Sequence, residues 1–295
     1  MRQLALEASP KAVLYGALLL AIGACAARWL LQVHTRDSSA DRQEEFERRL
    51  SRILVAAAAF VLVALVLRVW THSMAVFGLP DGLEWDRIRL VAFQSRWGSA
   101  WRLQAIAASA LVVSALCINV DRRIGWLAAS LAVVVCCFTV PLLGHAAGSP
   151  WRLALHAAHV LGAGVWLGTV AAVLIAHLQH QSQVRELLLR RLSPVAFSGA
   201  ATLLAAGLVA SWTYVGSVAN LWTTPYGRLL ALKGTMFCGV IACGFLNWRR
   251  FGAAPGNGCP AAPPAGETVG AATIEVLLAA AVVIVTAVFT ELEHP

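Results

Sequence analysis

The sequence predicts an all-α protein whose helices cross a membrane about eight times. Hydrophobic residues make up 59% of the 295-residue chain and charged residues only 13%, against about 25% charged in an ordinary soluble domain. The mean hydropathy is +0.71. The apolar residues also form runs of about 20, long enough to cross a hydrocarbon core about 30 Å thick. Together these observations exclude soluble, disordered, coiled-coil and disulfide-stapled classes.

Eight such runs lie between clusters of charged residues. The first contains a possible signal-peptide core from Leu18 to Ala27, but the apolar run continues through Leu31 and is too long for one, so we predict an uncleaved span. The chain is expected to form one integral membrane unit, with spans 1 to 4 in residues 1–150 and spans 5 to 8 in residues 151–295. The predicted spans cover roughly residues 12–33, 53–78, 99–119, 124–144, 152–176, 194–216, 228–248 and 268–290.

The distribution of basic residues predicts the orientation of these spans. The net charge of +8 does not point to nucleic acid, because Lys and Arg cluster between apolar runs and not along one surface. With the N-terminus outside, the inner connectors hold twelve basic residues and the outer segments seven. The positive-inside rule therefore predicts that both termini lie outside. Residues 37–52 mix both charge signs on a helical period, which predicts a solvated helix on the inner side.

A few charged side chains fall within the predicted spans. Arg28 and Arg102 lie near span ends, where a long side chain can reach the headgroup layer. Arg68 and Lys233 lie deeper and need partners or water. The sequence contains no Walker loop, no dinucleotide fingerprint and no Ser/His/Asp arrangement, and its seven cysteines include no Cys-x-x-Cys pair. We therefore predict that the chain is not an enzyme.

Four histidines from three spans fall toward the outer face under this topology. His156 and His159 are three residues apart at the start of span 5, hence on one helix face. A short loop returns the chain to them from His145, so three imidazoles can meet, while His72 must come from neighbouring span 2. Neutral imidazole suits copper, zinc, iron and nickel, and copper is our first choice. The structural alternative is that each histidine caps a helix or bonds a carbonyl near the headgroups.

Softer groups could extend such a site inward. Met236 on span 7 is expected at a depth close to that of His159, although methionine is otherwise scarce. Glu275 is the only acidic residue deep in a span, which favours a cation or proton relay. Cysteines lie at intermediate depths, where plain core packing is the alternative explanation. The candidate path residues are Cys136, Cys137, Cys238, Cys243 and Glu275.

The segment from Leu221 to Lys233 has clear local physics, with Thr224 as the N-cap, Pro225 at the first helical position and Tyr226 at the interface. With the Gly144-His145-Ala146 element and the spacing from His159 to Trp166-Leu167-Gly168, it resembles the CopD/PcoD copper-resistance family of bacterial inner-membrane proteins. The match is most specific over residues 144–250. The resemblance assigns family motif positions to His145, His159, Trp166, Gly168, Tyr226, Gly227 and Lys233. Helix packing at Gly168 is the structural alternative for the Trp-Leu-Gly element.

What the resemblance implies is copper homeostasis at the bacterial inner membrane, with uptake from the periplasm into the cytoplasm and a periplasmic copper-binding partner of the CopC type. Copper would be the bound metal. Two other functions stay open. Histidines on facing helices also hold b-type haem, so a membrane cytochrome is one alternative. A scaffold or sensor that binds copper without transporting it is the other.

Overall fold

The computed structural model describes residues 2–32, 40–144, 146, 148–177, 192–251 and 265–291. Within these ranges all regular structure is helical, and eight helical segments are long and apolar enough to cross a membrane. The predicted all-α polytopic bundle of eight spans is confirmed. The helices are α1 (Arg2–Gln32), α2 (Ala40–Phe77), α3 (Trp85–Gln94), α4 (Arg96–Cys117), α5 (Arg122–Thr139), α6 (Pro150–Ala163), α7 (Thr169–His177), α8 (Ser193–Val215), α9 (Asn220–Thr223), α10 (Pro225–Phe251) and α11 (Ala265–Phe289).

The second span is longer than predicted. A solvated helix was predicted over residues 37–52. Its described part, from Ala40 onward, is instead the start of α2, which runs unbroken for 38 residues, about 57 Å at 1.5 Å per residue. Its charged part also packs on the bundle: Phe46 and Leu50 are buried, and an Arg49 guanidinium nitrogen donates to the Ala176 carbonyl at 2.9 Å. No glycine or proline interrupts this stretch, so the helix continues.

A short helix between spans 2 and 3 was not predicted. Helix α3 follows a single 3-10 turn at Asp81–Leu83 and buries Ile88 and Val91 beside Val69 of α2. Trp85 on the same helix is 70% exposed. This division between a buried apolar face and an exposed aromatic residue is typical of a helix that lies along the membrane interface.

Helix α1 lies at the centre of the bundle and packs against α2, α5, α7 and α11. The closest approach is between Gly23 of α1 and Gly168, where a Cβ on either residue would overlap the other helix's backbone. Small residues permit this contact, which lets helix backbones gain van der Waals contact inside a bilayer. Helix packing therefore accounts for Gly168.

The two ends of the described chain lie on the same side of the bundle. Lys11, near the start of α1, forms an ion pair with Glu291, which follows α11. Eight antiparallel spans require this arrangement. We call the end of the bundle that holds Lys11 and Glu291 the outer end, and the opposite end the inner end.

Two arginines within the spans have partners. Arg28 does not extend toward the headgroups, since it is only 4% exposed and pairs with Glu47 at 2.8 Å. Arg68 donates to the side-chain oxygen of Gln104 at 3.3 Å. Arg68 thus has the partner that its depth required, and Arg28 has an ion pair because α2 extends far enough inward to bring Glu47 beside it.

The fifth span contains one wide turn. Residues Gly164–Gly168 form a π-helical segment between α6 and α7, so Pro150–Ala176 crosses as one span with a local change of register. The Thr169 hydroxyl donates to the Val165 carbonyl at 2.6 Å. This side-chain bond gives the carbonyl a donor within the wide turn, where the regular backbone hydrogen bonds are interrupted. Such segments are frequent at functional sites, and this one carries Trp166.

Candidate functional site

Polar side chains lie at successive depths between α6, α8, α10 and α11. Along α6 and the π segment, His159 lies about 10 Å and Trp166 about 21 Å inward from Arg152 at 1.5 Å per residue. Along α11, Glu275 lies about 21 Å inward from Phe289. These side chains form an outer layer with the two histidines and an inner layer with a carboxylate, and we call the region that they occupy between the four helices the compartment. We describe the layers in that order.

His156 forms the outermost polar contact of this compartment. Its Nε2 lies 3.2 Å from the hydroxyl of Tyr214 on α8. The Arg152 guanidinium lies 5.7 Å from the centre of the Tyr214 ring. Because a tyrosine hydroxyl both donates and accepts, His156 can keep either ring nitrogen protonated here. This contact positions the imidazole and leaves its other ring nitrogen, Nδ1, available to bind a metal.

His159 is oriented by a hydrogen bond to the backbone of α8. Its Nδ1 lies 3.2 Å from the backbone carbonyl of Leu203. A carbonyl only accepts, so Nδ1 carries the proton and Nε2 keeps its lone pair. The same outer bond orients most metal-binding histidines in proteins. Gly207 lies against the ring, where a Cβ would come within 3.2 Å of the His159 Cε1.

Lys233 contributes a positive charge beside both histidines. Its ammonium acts electrostatically on His156 and His159, and Nζ lies 5.5 Å from the centre of the Phe289 ring. Among the described residues it has no ion-pair partner. A bare cation bound by the histidines would be repelled by this charge, and the repulsion is twice as large for a divalent ion as for a monovalent one.

The signature segment builds the outer start of α10. The Thr224 hydroxyl accepts from the Gly227 amide at 2.9 Å and Pro225 opens the helix, so the predicted N-cap and first position are confirmed. A side chain at Gly227 would overlap the Asn220 carbonyl. Tyr226 is buried against Phe289, with ring centres 4.4 Å apart. These contacts fix α9 against α10 and set the start of the helix that carries Lys233.

The inner layer is built around one buried carboxylate. Glu275 is 5% exposed and accepts from Trp166 Nε1 at 3.0 Å on Oε1 and from Asn247 Nδ2 at 3.3 Å on Oε2. No basic side chain among the described residues pairs with it. Gly244 of α10 leaves room for the carboxylate, because a Cβ there would come within 3.1 Å of Oε1.

Trp166 links the two layers. Its indole ring meets Phe237 of α10 edge-on, with centres 6.1 Å apart, and its N–H reaches the carboxylate of α11. Met236 is half-buried on α10, almost one helical turn after Lys233 and hence toward the same side of the helix. The Trp166 of the sequence motif and the Glu275 of the predicted path thus belong to one site.

The structure does not bring His72 to the other histidines. Its ring stacks on Trp97 of α4, with centres 4.1 Å apart, and the charges that act on it are Arg68, Glu291 and Lys11. His145 lies outside the described residues. In the part of the chain that the structure describes, no group of three or more His, Cys, Asp or Glu side chains is arranged to hold one metal ion. A site with three or four imidazoles therefore stays a prediction.

The cysteines of the predicted path lie on two helices with different neighbours. Cys136 and Cys137 are buried on α5, which packs against α1, α4 and α6. Cys238 is exposed on α10 and Cys243 is half-buried on the same helix, which packs against α8, α9 and α11. The structure gives these four thiols no common channel.

Sequence reasoning missed three groups of the site: Tyr214, the Leu203 carbonyl and Asn247. A signal for Asn247 exists, because a polar amide inside an apolar span requires a partner. Tyr214 is one of only three tyrosines and falls at the outer interface. The Leu203 carbonyl had no signal, since any backbone group of α8 could serve equally well.

Two sequence profiles of one family match the chain. The first, "Copper resistance protein D-like, N-terminal domain", covers residues 8–151, and the second, "Copper resistance protein D", covers residues 186–289. The chain belongs to the CopD copper-resistance family. The resemblance drawn from the Tyr-Gly-Arg and Trp-Leu-Gly elements is thereby confirmed, whereas the division into halves at residue 150 stays a prediction.

Among curated proteins, the chain is similar to the "Copper transport protein CutJ" of Bacillus subtilis (strain 168). The two are 25% identical over 220 residues, which cover 70% of this chain and 41% of the relative. The chain therefore spans about two fifths of that protein's length. No solved structure matches. Family and fold together establish a multi-pass membrane protein of copper homeostasis.

Proposed function

We propose that the chain moves copper across the bacterial inner membrane, from the periplasm to the cytoplasm, through the compartment between α6, α8, α10 and α11. Copper is the cargo in this proposal, and the chain acts as a carrier and not as an enzyme. The observation that supports it most is His159, whose Nδ1 is bonded to a backbone carbonyl at 3.2 Å while Nε2 stays free. The carboxylate of Glu275, which accepts a hydrogen bond from Trp166, lies deeper in the same compartment.

In the first step the outer histidines accept copper. Imidazole nitrogen is a good ligand for copper, and His156 and His159 share one helix face. His145, on a family motif position, remains a further candidate. Lys233 disfavours a bare divalent ion more than a monovalent one, and Met236 offers a soft thioether nearby, so we propose that the ion passes as Cu(I). By family resemblance, a periplasmic protein of the CopC type would deliver it.

In the second step the ion passes the aromatic pair of Trp166 and Phe237 and meets Glu275. A buried carboxylate without a basic partner attracts a cation or holds a proton. Two donors orient it, so it can exchange one positive charge for another without rearranging the helices. Orientation follows the basic residues, which are more numerous in the connectors at the inner end. The relative's name, a copper transport protein, also favours transport over a scaffold or sensor that binds copper without moving it.

Copper stoichiometry tests the outer step. We expect the purified wild type to bind copper and His159→Ala and His145→Ala to lose it, because each removes one ligand. His177→Ala is the matched control, since His177 lies at the opposite end of the same span and should leave copper content unchanged. Equal copper in the wild type, His159→Ala and His145→Ala would exclude the proposed ligands.

Uptake by reconstituted vesicles tests transport itself. Vesicles that contain the wild-type chain should accumulate radioactive copper, and accumulation should fall in His159→Ala but not in His177→Ala. A strong Soret band in the purified protein would instead indicate a haem cytochrome. Bound copper without accumulation would indicate a scaffold or sensor.

A further inference from the structure

A cleft at the inner end of the bundle is unrelated to the copper compartment. It lies between the inner part of α2 and the turn that joins α4 to α5, and its volume is about 730 Å³. We call it the inner cleft. It is lined by Glu47, Arg48, Ser51, Arg52, Val55, Ala56, Ala59, Leu116, Ile118, Asn119, Val120 and Arg122. Its mouth is charged and its far wall is apolar.

The charged mouth carries an excess of positive charge. Glu44 is shared by Arg48 and Arg122, at 3.0 Å from each, and Glu47 is bound to the buried Arg28 at 2.8 Å. The cleft itself is lined by three guanidinium groups and one carboxylate, that of Glu47, which Arg122 also approaches at 3.8 Å. Arg52 has no ion-pair partner in the described part of the chain and its side chain is exposed. The cleft therefore has an unneutralised, accessible guanidinium, the group best suited to phosphate.

The apolar wall continues from this mouth along the lipid-facing side of α2. Arg52 is followed on the same helix face by exposed Ala56, Phe60 and Val63, at helical spacing. Leu116 of α4 and Val120 of the turn, which is 90% exposed, form the opposite wall. From Arg52 to Ala59 the wall runs about 10 Å along the helix axis. A positively charged mouth beside a wall of apolar side chains matches an amphiphile better than a free anion.

We infer that the inner cleft binds the headgroup of an anionic phospholipid, with the phosphate at Arg52, Arg48 and Arg122 and the start of an acyl chain against Ala56, Ala59 and Leu116. Basic pockets between membrane helices bind such headgroups in other proteins. The inner end of the spans lies at the depth of the headgroup layer, so the ligand is present wherever the protein is inserted. Nothing in copper transport requires this site.

Native mass spectrometry of the purified full-length chain tests the inference. Phosphatidylglycerol and phosphatidylcholine with identical acyl chains are added in equal amounts. We expect the anionic lipid to be retained preferentially, and Arg52→Gln to weaken its binding about fivefold, as removal of one near-surface guanidinium should. Arg89→Gln is the matched control, because Arg89 is exposed on α3 at the outer end; it should bind phosphatidylglycerol like the wild type.

Three results would overturn the inference: equal retention of the two lipids, equal binding by Arg52→Gln and Arg89→Gln, or displacement of phosphatidylglycerol by inorganic phosphate. The last would identify a free-anion site. A second variant, Arg48→Gln with Arg52→Gln, should weaken the anionic lipid further. If that double variant fails to fold, Arg52→Gln still decides the question, since it removes no ion pair within the described residues.

Discussion

Replacement of Glu275 can separate its part in holding the fold from its proposed part in passing a cation. In Glu275→Gln the side chain keeps its size, and its amide oxygen can still accept from Trp166 Nε1, now 3.0 Å from Oε1. The bond from Trp166 would change from charge-assisted, at about 1.5–3 kcal/mol, to neutral, at about 0.5–1.5 kcal/mol. The bond with Asn247 would change in the same way, with the Asn247 amide turned so that its oxygen accepts from the new Nε2–H. The free energy of unfolding should therefore fall by about 2–3 kcal/mol.

Glu275→Ala should be more damaging to the fold. It leaves the Trp166 indole N–H and the Asn247 amide without an acceptor in a buried place. An orphaned buried donor costs about 1–3 kcal/mol, so the two together cost about 2–6 kcal/mol. We expect Glu275→Gln to fold and to lose copper uptake, and Glu275→Ala to lose folded protein as well.

Thermal unfolding in detergent and accumulation of radioactive copper in cells measure the two effects separately. Glu267→Gln is the matched control, because Glu267 is exposed near the inner start of the same helix and should change neither. Unchanged accumulation in a cysteine-free Glu275→Gln variant would refute the proposed path. Equal stability of the Gln and Ala variants would refute the role of the two hydrogen bonds.

Three further substitutions test the packing of the bundle. Gly168→Ala should destabilise the protein by about 1–3 kcal/mol, because its Cβ would overlap the backbone of α1. Gly239→Ala is the control, since a Cβ there meets nothing within 4 Å. Equal stability of the two variants on unfolding in detergent would contradict the close approach. Thr224→Ala should cost about 1 kcal/mol by removing the cap of α10, and recovery in Thr224→Ser, checked in the same unfolding measurement, is expected. Arg28→Met should cost about 1.5–3 kcal/mol, the worth of one hydrogen bond to a charged group, because half-buried Glu47 then keeps only its longer contact with Arg122 at 3.8 Å. A double-mutant cycle with Glu47→Gln should recover part of that loss; strict additivity would contradict the pairing.

The eight spans could be predicted because each needs only a run of apolar residues between charges, a local property of the sequence. The extension of α2 could not, because charged residues such as Arg49 are typical of a solvated helix. Their burial depends on α7 supplying the Ala176 carbonyl. Helix α3 was missed for a similar reason, since ten residues with one apolar face are too short to signal a span.

Prediction of the site succeeded within one helix and was incomplete between helices. The shared face of His156 and His159 follows from their spacing, and the cap at Thr224 follows from the motif. The contact between Trp166 and Glu275 joins residues 109 positions apart, which no spacing rule reports. For His72, the position in the span predicted its depth but not the direction of its side chain, and its ring stacks on Trp97.

The π segment lets one span serve two partners at once. Gly164 and Gly168 press against Ile22 and Leu19 of α1, while Trp166, between them in the chain, extends to the opposite neighbour and holds the carboxylate. Deleting a single residue from this widened turn would restore ordinary α-helical winding, and the remaining residues of the turn would then face other directions. Either the two glycines would lose their contact with α1 or the Trp166 indole would lose its hydrogen bond to Glu275. The length of this short segment is therefore as constrained as its composition.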